Sequence, residues 1–446
     1  MAQFDCKEDY LAQLKGQIRC KKAKSLVAEE IDQHIEDQKA SYMKEGDDEN
    51  IAMGKALEQM GDPLEAGKQL DKIHKPKTEW HILLVVLALC CFGALAQISI
   101  EYAIYKAKIP YSIDIGRHIL FLAVGFLLMI TVYFFNYSII GKYPKIIWFL
   151  LLVVLSLYAP LGTRINGQLQ YLYAYGILFI PVYGGIIYAY RKEGYSGIIK
   201  CLLFSITTII IEQQCVAQSS VYLGFLLACI IMLSAAAMRN WFGTSKKISM
   251  AIIWGWIPIA IIALLFSSDL RLYRIERLSS FLHPYENGYQ ISIVSQVLSH
   301  AKLFGGTTDF MIGYLPGLNS NYILTYVIGK WGFVAGVLCI GLFITLIGRI
   351  IYISYHQKNS LGMFVGLGCC LVFAVQGCIY ILTNLGFQLI AQVNLPFVSY
   401  GGSSLFVNFI VMGIILSVFR NTNIQKEVPY KKLLSINLSI NLEKVN

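Results

Sequence analysis

The chain changes character near residue 79. Before it, apolar residues recur at helical intervals in a charged background; after it, long apolar runs follow one another, separated by short polar turns. In the first part, Leu11, Leu14 and Ile18 share one face of a helix, as do Val27, Ile31 and Ile35 with Ala28. This period, with Lys, Glu, Asp and Gln at the intervening positions, predicts amphipathic helices. Gly46-Asp47-Asp48 interrupts it, and a further helix from about Asn50 is expected to stop at Gly61-Asp62-Pro63. Residues 1–78 therefore read as a soluble cytosolic bundle of three or four helices. It serves either as a solvated packing domain or as a partner-binding module.

The later runs approach the ~20 residues needed to cross a bilayer. They fall at Trp80–Ile100, Ile119–Phe135, Ile146–Pro160, Tyr171–Tyr190, Ile198–Ile211, Val221–Met238, Ile248–Phe266, Tyr322–Ile351, Met363–Thr383 and Leu405–Phe419. The expected fold is thus all-α: a polytopic membrane domain of about ten transmembrane helices over 79–421, preceded by the small bundle and followed by a cytosolic tail, 422–446. The third and fifth runs are short for a span. The first run follows a long charged segment, so it reads as an internal signal-anchor and not as a cleaved leader.

Lysine and arginine set the orientation. Lys142, Lys145, Arg191, Lys192, Lys200, Arg239, Lys246, Lys247, Arg349 and Lys358 fall in alternate loops, and the tail adds Arg420, Lys426, Lys431 and Lys432. The loops Glu212–Ser220 and Asn384–Ser404 contain neither residue type. Both termini are then cytosolic and the number of crossings is even. One outer loop, 267–321, is far longer than the rest. It keeps Arg271, Arg274 and Arg277 on the outer side, a pattern suited to phosphate oxygens, with pairing to Asp269, Glu276 or lipid headgroups as the alternative.

Composition agrees with a membrane protein. Hydrophobic residues make up 56% of the chain and charged residues 14%, against about 25% charged in soluble domains. The net charge of +10 belongs to cytosolic loops facing anionic lipids and gives no reason to invoke nucleic acid. Most of the 11 cysteines lie inside apolar runs. None has metal-ligand spacing with histidines nearby, so they read as small hydrophobes, with no structural disulfide or metal site.

The most distinctive stretch is Leu395-Pro396-Phe397-Val398-Ser399-Tyr400-Gly401-Gly402-Ser403-Ser404, just before the last apolar run. Proline and paired glycines break a helix. Irregular polar backbone at membrane depth is tolerated only where it is buried in protein or lines a wet cavity. The run is expected to shape a site, with close helix packing by small residues as the alternative.

This stretch closely resembles the C-terminal signature of the FtsW/RodA/SpoVE (SEDS) family of bacterial cell-cycle membrane proteins. The long loop resembles that family's large extracellular loop through Tyr273-Arg274-Ile275-Glu276-Arg277-Leu278, Phe281, Pro284, Gly288-Tyr289-Gln290, Ser295 and Phe304-Gly305. Looser matches are Arg117-His118, Gly125 and Tyr137 about the second span, and Asn166-Gly167 before the fourth. Residues 1–78 resemble the prefix module found ahead of some Firmicute permease-like proteins.

The resemblance implies a multi-pass protein of the bacterial cytoplasmic membrane that handles lipid-linked peptidoglycan precursor in cell division, cell shape or sporulation. It implies a class B penicillin-binding protein or another divisome or elongasome membrane protein as partner. No cofactor is implied beyond a divalent cation accompanying the pyrophosphate substrate. Arg117, Arg274, Arg277, Tyr289, Gln290, Asn384, Pro396, Ser399, Tyr400, Gly401, Gly402, Ser403 and Ser404 become candidate substrate contacts, and Gln296 and His300 possible sugar contacts.

In the family, an Asp at the outer end of the eighth span is thought to take the acceptor hydroxyl's proton, help worth about 10²–10⁴-fold. Cationic groups would stabilise the departing pyrophosphate. There the family reads Leu-Pro, a few residues, then Thr-Asp-Phe-Ile. Here Leu315-Pro316-Gly317-Leu318-Asn319-Ser320-Asn321-Tyr322-Ile323 aligns without a gap and places Asn321 at the acid. A carboxamide holds a hydroxyl but takes no proton at neutral pH. Asp309, in Thr307-Thr308-Asp309-Phe310, is the alternative base.

Other departures cluster nearby. A polar Pro-Ser-Glu…Lys element becomes Tyr175-Gly176-Ile177-Leu178-Phe179-Ile180-Pro181, acids after the catalytic position become Gly329-Lys330, and the stretch from Asn384 to Pro396 is shortened. The expectation is a weak or inactive glycosyltransferase on an intact scaffold. An active enzyme with a rewired site and a lipid or solute transporter are the alternatives. No span carries the paired intramembrane charges of ion-coupled transport.

Overall fold

The computed structural model describes residues 7–76, 79–109, 112–162, 164–165, 168–169, 173–216, 218–266, 289–306, 317–387 and 391–422. Four helices form the N-terminal bundle: α1 (Lys7–Gln17), α2 (Lys21–Lys44), α3 (Glu49–Met60) and α4 (Pro63–Ile73). The apolar positions of the helical pattern make its core. Leu11, Leu14, Ile18, Val27 and Ile35 are buried there with Tyr10, Ala56 and Leu57. Burial of such side chains is worth about 1.5–3 kcal/mol each. The Gly61-Asp62-Pro63 stop acts at both sides. Gly61 leaves α3 at φ +72, and the Asp62 carboxylate accepts the Leu64 N–H at 3.1 Å to open α4 with Pro63 in its first turn. Lys7 ties α1 to α2 through Asp32 (2.6 Å) and Glu36 (2.5 Å).

The membrane part is a helical bundle with one continuous apolar core. Its helices are α5 (Trp80–Lys106), α6 (Ile115–Phe134), the short α7 (Ser138–Lys142), α8 (Pro144–Tyr158), α9 (Phe179–Ala189), α10 (Gly194–Cys215), α11 (Ser219–Met238) and α12 (Lys246–Phe266). They continue with α13 (Tyr289–Ser299), α14 (Ile323–Trp331), α15 (Phe333–Tyr355), α16 (Ser360–Asn384) and α17 (Gly402–Arg420). Among the described residues, seven of these (α5, α6, α10, α11, α15, α16 and α17) are long and apolar enough to cross a membrane. Two shorter apolar segments, Pro144–Tyr158 and Ala174–Ala189, add to them. α9 is apolar on every side and nearly all buried, so it stands inside the bundle, packed on α16, α8 and α11. α17 lies along α6, where Gly125 lets the Phe409 ring approach.

Three spans differ from the sequence pattern. The fifth is not short: α10 runs 22 residues and takes in Glu212, which the apolar run ending at Ile211 left in an outer loop. The fourth starts as a 3-10 segment, Tyr173–Leu178, before becoming α9. A two-residue pairing of Arg164–Ile165 with Gln168–Leu169 precedes it. The eighth, Tyr322–Ile351, is not one helix. It breaks at Gly332, whose φ of +100 an L side chain rarely adopts. There the chain after α13 lays its backbone on the break: Phe333 N–H donates to Lys302 O at 3.0 Å, Val334 N–H to Leu303 O at 3.2 Å, and Gly305 N–H to Trp331 O at 2.9 Å. Apolar periodicity alone runs through such a break because the pattern is apolar on both sides.

Candidate functional site

The turn before α14 and the turn before α17 are joined at one end of the bundle. Gly317, at φ +73, starts the first; its carbonyl accepts the N–H groups of Ser320, Asn321 and Tyr322. The second crosses it. Ser399 Oγ donates to Ser320 O at 2.6 Å and accepts the Leu395 N–H at 2.9 Å, while Tyr400 N–H donates to Asn319 O at 3.0 Å. The aligned carboxamide and the glycine-rich signature, far apart in sequence, therefore share one site.

Backbone strain marks the second turn. Phe397, wholly buried, sits at φ +67, and Gly401 at φ +152. A Cβ at Gly401 would lie 2.7 Å from Asn394 Nδ2. Non-glycine residues held at positive φ cost about 1–3 kcal/mol and persist where their surroundings impose them. Here α5 is one such constraint: Gly93 lets it approach the turn so closely that a Cβ would meet Val398 O at 2.6 Å. From the same helix Gln97 Nε2 donates to Asn319 O at 2.7 Å.

Asn321 is half-buried. Its Nδ2 donates to Gln392 Oε1 at 2.7 Å. Gln392 Nε2 donates to Gln290 Oε1 at 2.9 Å and to the Tyr322 hydroxyl, and that hydroxyl donates to Gln290 Oε1 at 3.1 Å. α13 thus reaches the site through Gln290. Beneath, Asn384 is wholly buried and clamps the turn: its Nδ2 donates to Asn321 O (2.9 Å), and its Oδ1 accepts Thr325 N–H (3.0 Å) and Thr325 Oγ1 (2.8 Å). Gln218 Nε2 donates to Gln392 O at 2.7 Å, which brings the start of α11 to the same end.

The remaining candidates divide. Tyr400, Gly401, Gly402 and Ser403 are half-exposed at the turn, while Pro396 and Ser399 are buried. Ser404 is buried inside α17, where it accepts from Asn408 Nδ2 at 3.4 Å, and Asn408 in turn accepts from Gln376 Nε2 at 3.1 Å. Arg117 is exposed and pairs with Asp114 at 3.4 Å. The next residue, His118, turns inward instead: it is wholly buried, its ring stacked on Tyr400 with centroids 5.6 Å apart. Tyr289 is exposed, and His300, just past the end of α13, has its Nδ1 2.8 Å from Gln296 O of that helix. Asp309, Arg271, Arg274 and Arg277 lie outside the described residues.

The sequence reading did not single out Gln97, Gln218 or Gln392. The available signal was a lone glutamine in or beside an apolar run, where a polar group needs a partner. No group of three or more His, Cys, Asp or Glu among the described residues is placed to hold a metal ion, and the ten described cysteines are free thiols.

These features define a polytopic helical membrane protein with a carboxamide-rich site where two irregular turns meet at one end of the bundle. The sequence model of the family described as "Cell cycle protein", FTSW_RODA_SPOVE, matches residues 186–424, over half of the chain, and the chain belongs to that family. Its relatives include a protein named probable peptidoglycan glycosyltransferase FtsW in Coxiella burnetii. That one is 25% identical over 375 residues, covering 76% of this chain and 96% of the relative. Stage V sporulation protein E of Bacillus subtilis is 30% identical over 227 residues, 49% of this chain and 58% of that one. Among solved structures, a chain from a peptidoglycan synthase complex that coordinates polymerization and crosslinking aligns with a TM-score of 0.58 at 19% identity. It covers 77% of this chain and 98% of that chain. Thermus thermophilus rod shape determining protein RodA aligns at 0.51 and 15%, over 77% and 97%. At such identities the structural likeness speaks for the fold.

Proposed function

We infer that this protein binds a lipid-linked peptidoglycan precursor at the joined turns and transfers its sugar slowly or not at all. The names of its relatives and its family support the substrate class. The observation that carries the second half is the Asn321 side chain. It stands at the turn where the family's acid is expected, it is a carboxamide, and it is bound to another carboxamide, Gln392, at 2.7 Å. An amide orients a hydroxyl but does not become its proton acceptor. A penicillin-binding protein is the corresponding partner class, supported by a structural neighbour solved as part of a synthase complex.

Purified protein with labelled lipid-linked precursor tests this. Wild type is expected to bind precursor and to polymerise it weakly or not at all. Asn321→Asp is expected to gain about 10²-fold or more in rate, the lower range of general-base help. Fast wild-type turnover that Asn321→Asp leaves unchanged would exclude the reading, as would absence of precursor binding.

A further inference from the structure

The segments 138–147, 188–200 and 239–250 contain eight lysines and arginines against one acid, Glu193. They meet in space. The N–H groups of Lys192 and Gly194 donate to the carbonyls of Trp241 and Phe242, and Ser245 N–H donates to the Tyr195 hydroxyl at 3.3 Å. From the first segment, Lys145 reaches the ring of Tyr190, its Nζ 4.6 Å from the centroid. α10 then runs 22 residues to the turn that carries Gln218, about 33 Å at 1.5 Å per residue. This basic end is therefore a helix length away from Asn321, and none of its side chains belongs to the site described above.

Within it, two lysines from different helices converge. Lys145 stands in the first turn of α8 and Lys200 in the second turn of α10, and Lys200 Nζ is 5.4 Å from the same Tyr190 centroid. Tyr190 is buried, and Phe204 lies against it with ring centroids 6.0 Å apart. Trp148 completes the floor. It packs edge-on to Phe204 at 4.8 Å, and its Nε1 donates to Thr208 Oγ1 at 2.8 Å, which pins α8 to α10. The ring attracts each ammonium, but the two repel each other. The one carboxylate of these segments, Glu193, is bound to Lys200 at 2.7 Å. The lysine pair is thus one anion short of neutral. Apolar surface continues from both: Phe149, four residues after Lys145, and Leu203, three after Lys200, fall on the lysines' own helix faces and are exposed. Charge above an apolar wall, on two joined helices, is the complement of an anionic headgroup attached to acyl chains.

We propose that the seam between the starts of α8 and α10 binds an anionic phospholipid. Its phosphodiester lies between Lys145 and Lys200 as their shared counter-ion, and its acyl chains run along Phe149 and Leu203. Basic pockets between membrane helices hold anionic headgroups in this way. A choline headgroup brings a cation to the same place and is disfavoured there. A soluble phosphate offers the anion but leaves the apolar side chains uncovered, so the lipid is the ligand that the whole seam fits. This inference is independent of the precursor-binding reading.

Full-length protein purified in a neutral detergent is titrated with phosphatidylglycerol, phosphatidylcholine or inorganic phosphate, and retained ligand is read by native mass spectrometry. Wild type is expected to hold phosphatidylglycerol about tenfold or more tightly than phosphatidylcholine, and to gain thermal stability from it but not from inorganic phosphate. Lys145→Gln and Lys200→Gln should each weaken phosphatidylglycerol about fivefold, the scale of one basic group at a lipid surface. Lys145→Arg and Lys200→Arg should keep most of the affinity. A variant with Lys246→Gln and Lys247→Gln removes charge from the neighbouring segment and should change the affinity less than about twofold, because exposed charges outside the seam are screened. The thermal midpoint without added lipid reports that each variant is folded. Equal retention of the two lipids, Lys145→Gln and Lys200→Gln affinities equal to wild type, or the same loss from the Lys246 and Lys247 changes each overturns the proposal. Stabilisation by inorganic phosphate that matches phosphatidylglycerol overturns it too, since the ligand is then a soluble phosphate.

Discussion

Asn384 is the residue on which the site's geometry depends most directly. It is wholly buried at the end of α16 and holds four polar groups: Thr325 N–H, Thr325 Oγ1, Asn321 O and Tyr380 O. An apolar replacement takes this partner from Thr325 N–H and Asn321 O in a place water does not reach, while Thr325 Oγ1 keeps the Asn384 backbone carbonyl at 3.2 Å. Asn384→Leu is expected to cost about 2–4 kcal/mol, the scale of one to two buried unsatisfied groups. The check is the thermal midpoint of purified protein in detergent, and precursor binding should weaken in parallel because the Asn321 turn loses its floor. Asn384 and Asn321 were both legible in the sequence because they stand in or beside recognisable motifs. Gln392 was not: a single glutamine in an irregular stretch has no period, and its side-chain partners Gln290, Asn321 and Tyr322 lie 70 or more positions away along the chain. Glu212 was misplaced for a related reason. An acid at the end of an apolar run reads as a loop residue unless the packing that encloses it is known.

At the scale of elements, periodicity located nearly every helix, and failed where backbone conformation rather than hydrophobicity ended one. Gly332 is the clearest case. A Cβ there would meet Leu303 O at 2.4 Å, and the residue's φ is +100. Gly332→Ala should therefore destabilise by about 1–3 kcal/mol from the backbone alone, and more from displacing the strand-like contact between Lys302–Gly305 and the α14–α15 break. The sharper readout is proteolysis: the segment around Lys302 should become more readily cleaved by trypsin in the variant than in wild type.

The N-terminal bundle was legible because a soluble amphipathic pattern separates inside from outside, and its own apolar core predicts that residues 1–76 fold as an isolated fragment. Its pH response follows from two groups. Burial, with Asp62's charge adding, raises the Tyr10 phenol above its ordinary value. For Lys7, burial acts downward, but hydrogen bonds to Asp32 and Glu36 outweigh it and leave the ammonium raised. In each, the folded state holds its proton more tightly than the unfolded chain. The associated stability is therefore complete below the unfolded values, about 10 for tyrosine and 10.4 for lysine, and is lost as pH climbs past the folded ones. Helical circular dichroism of the fragment should hold from neutral pH to about 10 and fall above it. Lys7→Met should remove the lysine's share of that fall.

For the whole molecule, basic turns gather at one end of the bundle and the carboxamide turns at the other, and this difference is expected to set how it sits in the bilayer. At one end, Lys192 N–H donates to Trp241 O at 2.9 Å and Gly194 N–H to Phe242 O at 3.1 Å, which joins the basic turn before α10 to the one before α12. Arg349 binds Glu79 at 2.8 Å at the start of α5, Arg239 lies over the Tyr355 ring, and Thr422 Oγ1 donates to Gln357 Oε1 at 2.9 Å. At the other end lie Asn321, Gln392 and Gln218, on turns poor in lysine and arginine. Cytoplasmic loops carry the excess of these residues, so the basic end, with both termini, is expected inside and the carboxamide site outside. Reporter fusions decide it. A fluorescent protein that matures only in the cytosol should light when joined after Arg420, and a phosphatase that folds only outside should be active when inserted at Gly386. The reverse pattern would place Asn321 and the signature turn on the cytosolic face. A lipid-linked sugar presented on the outer leaflet could then not reach Asn321, and the precursor-binding reading would fall with the orientation.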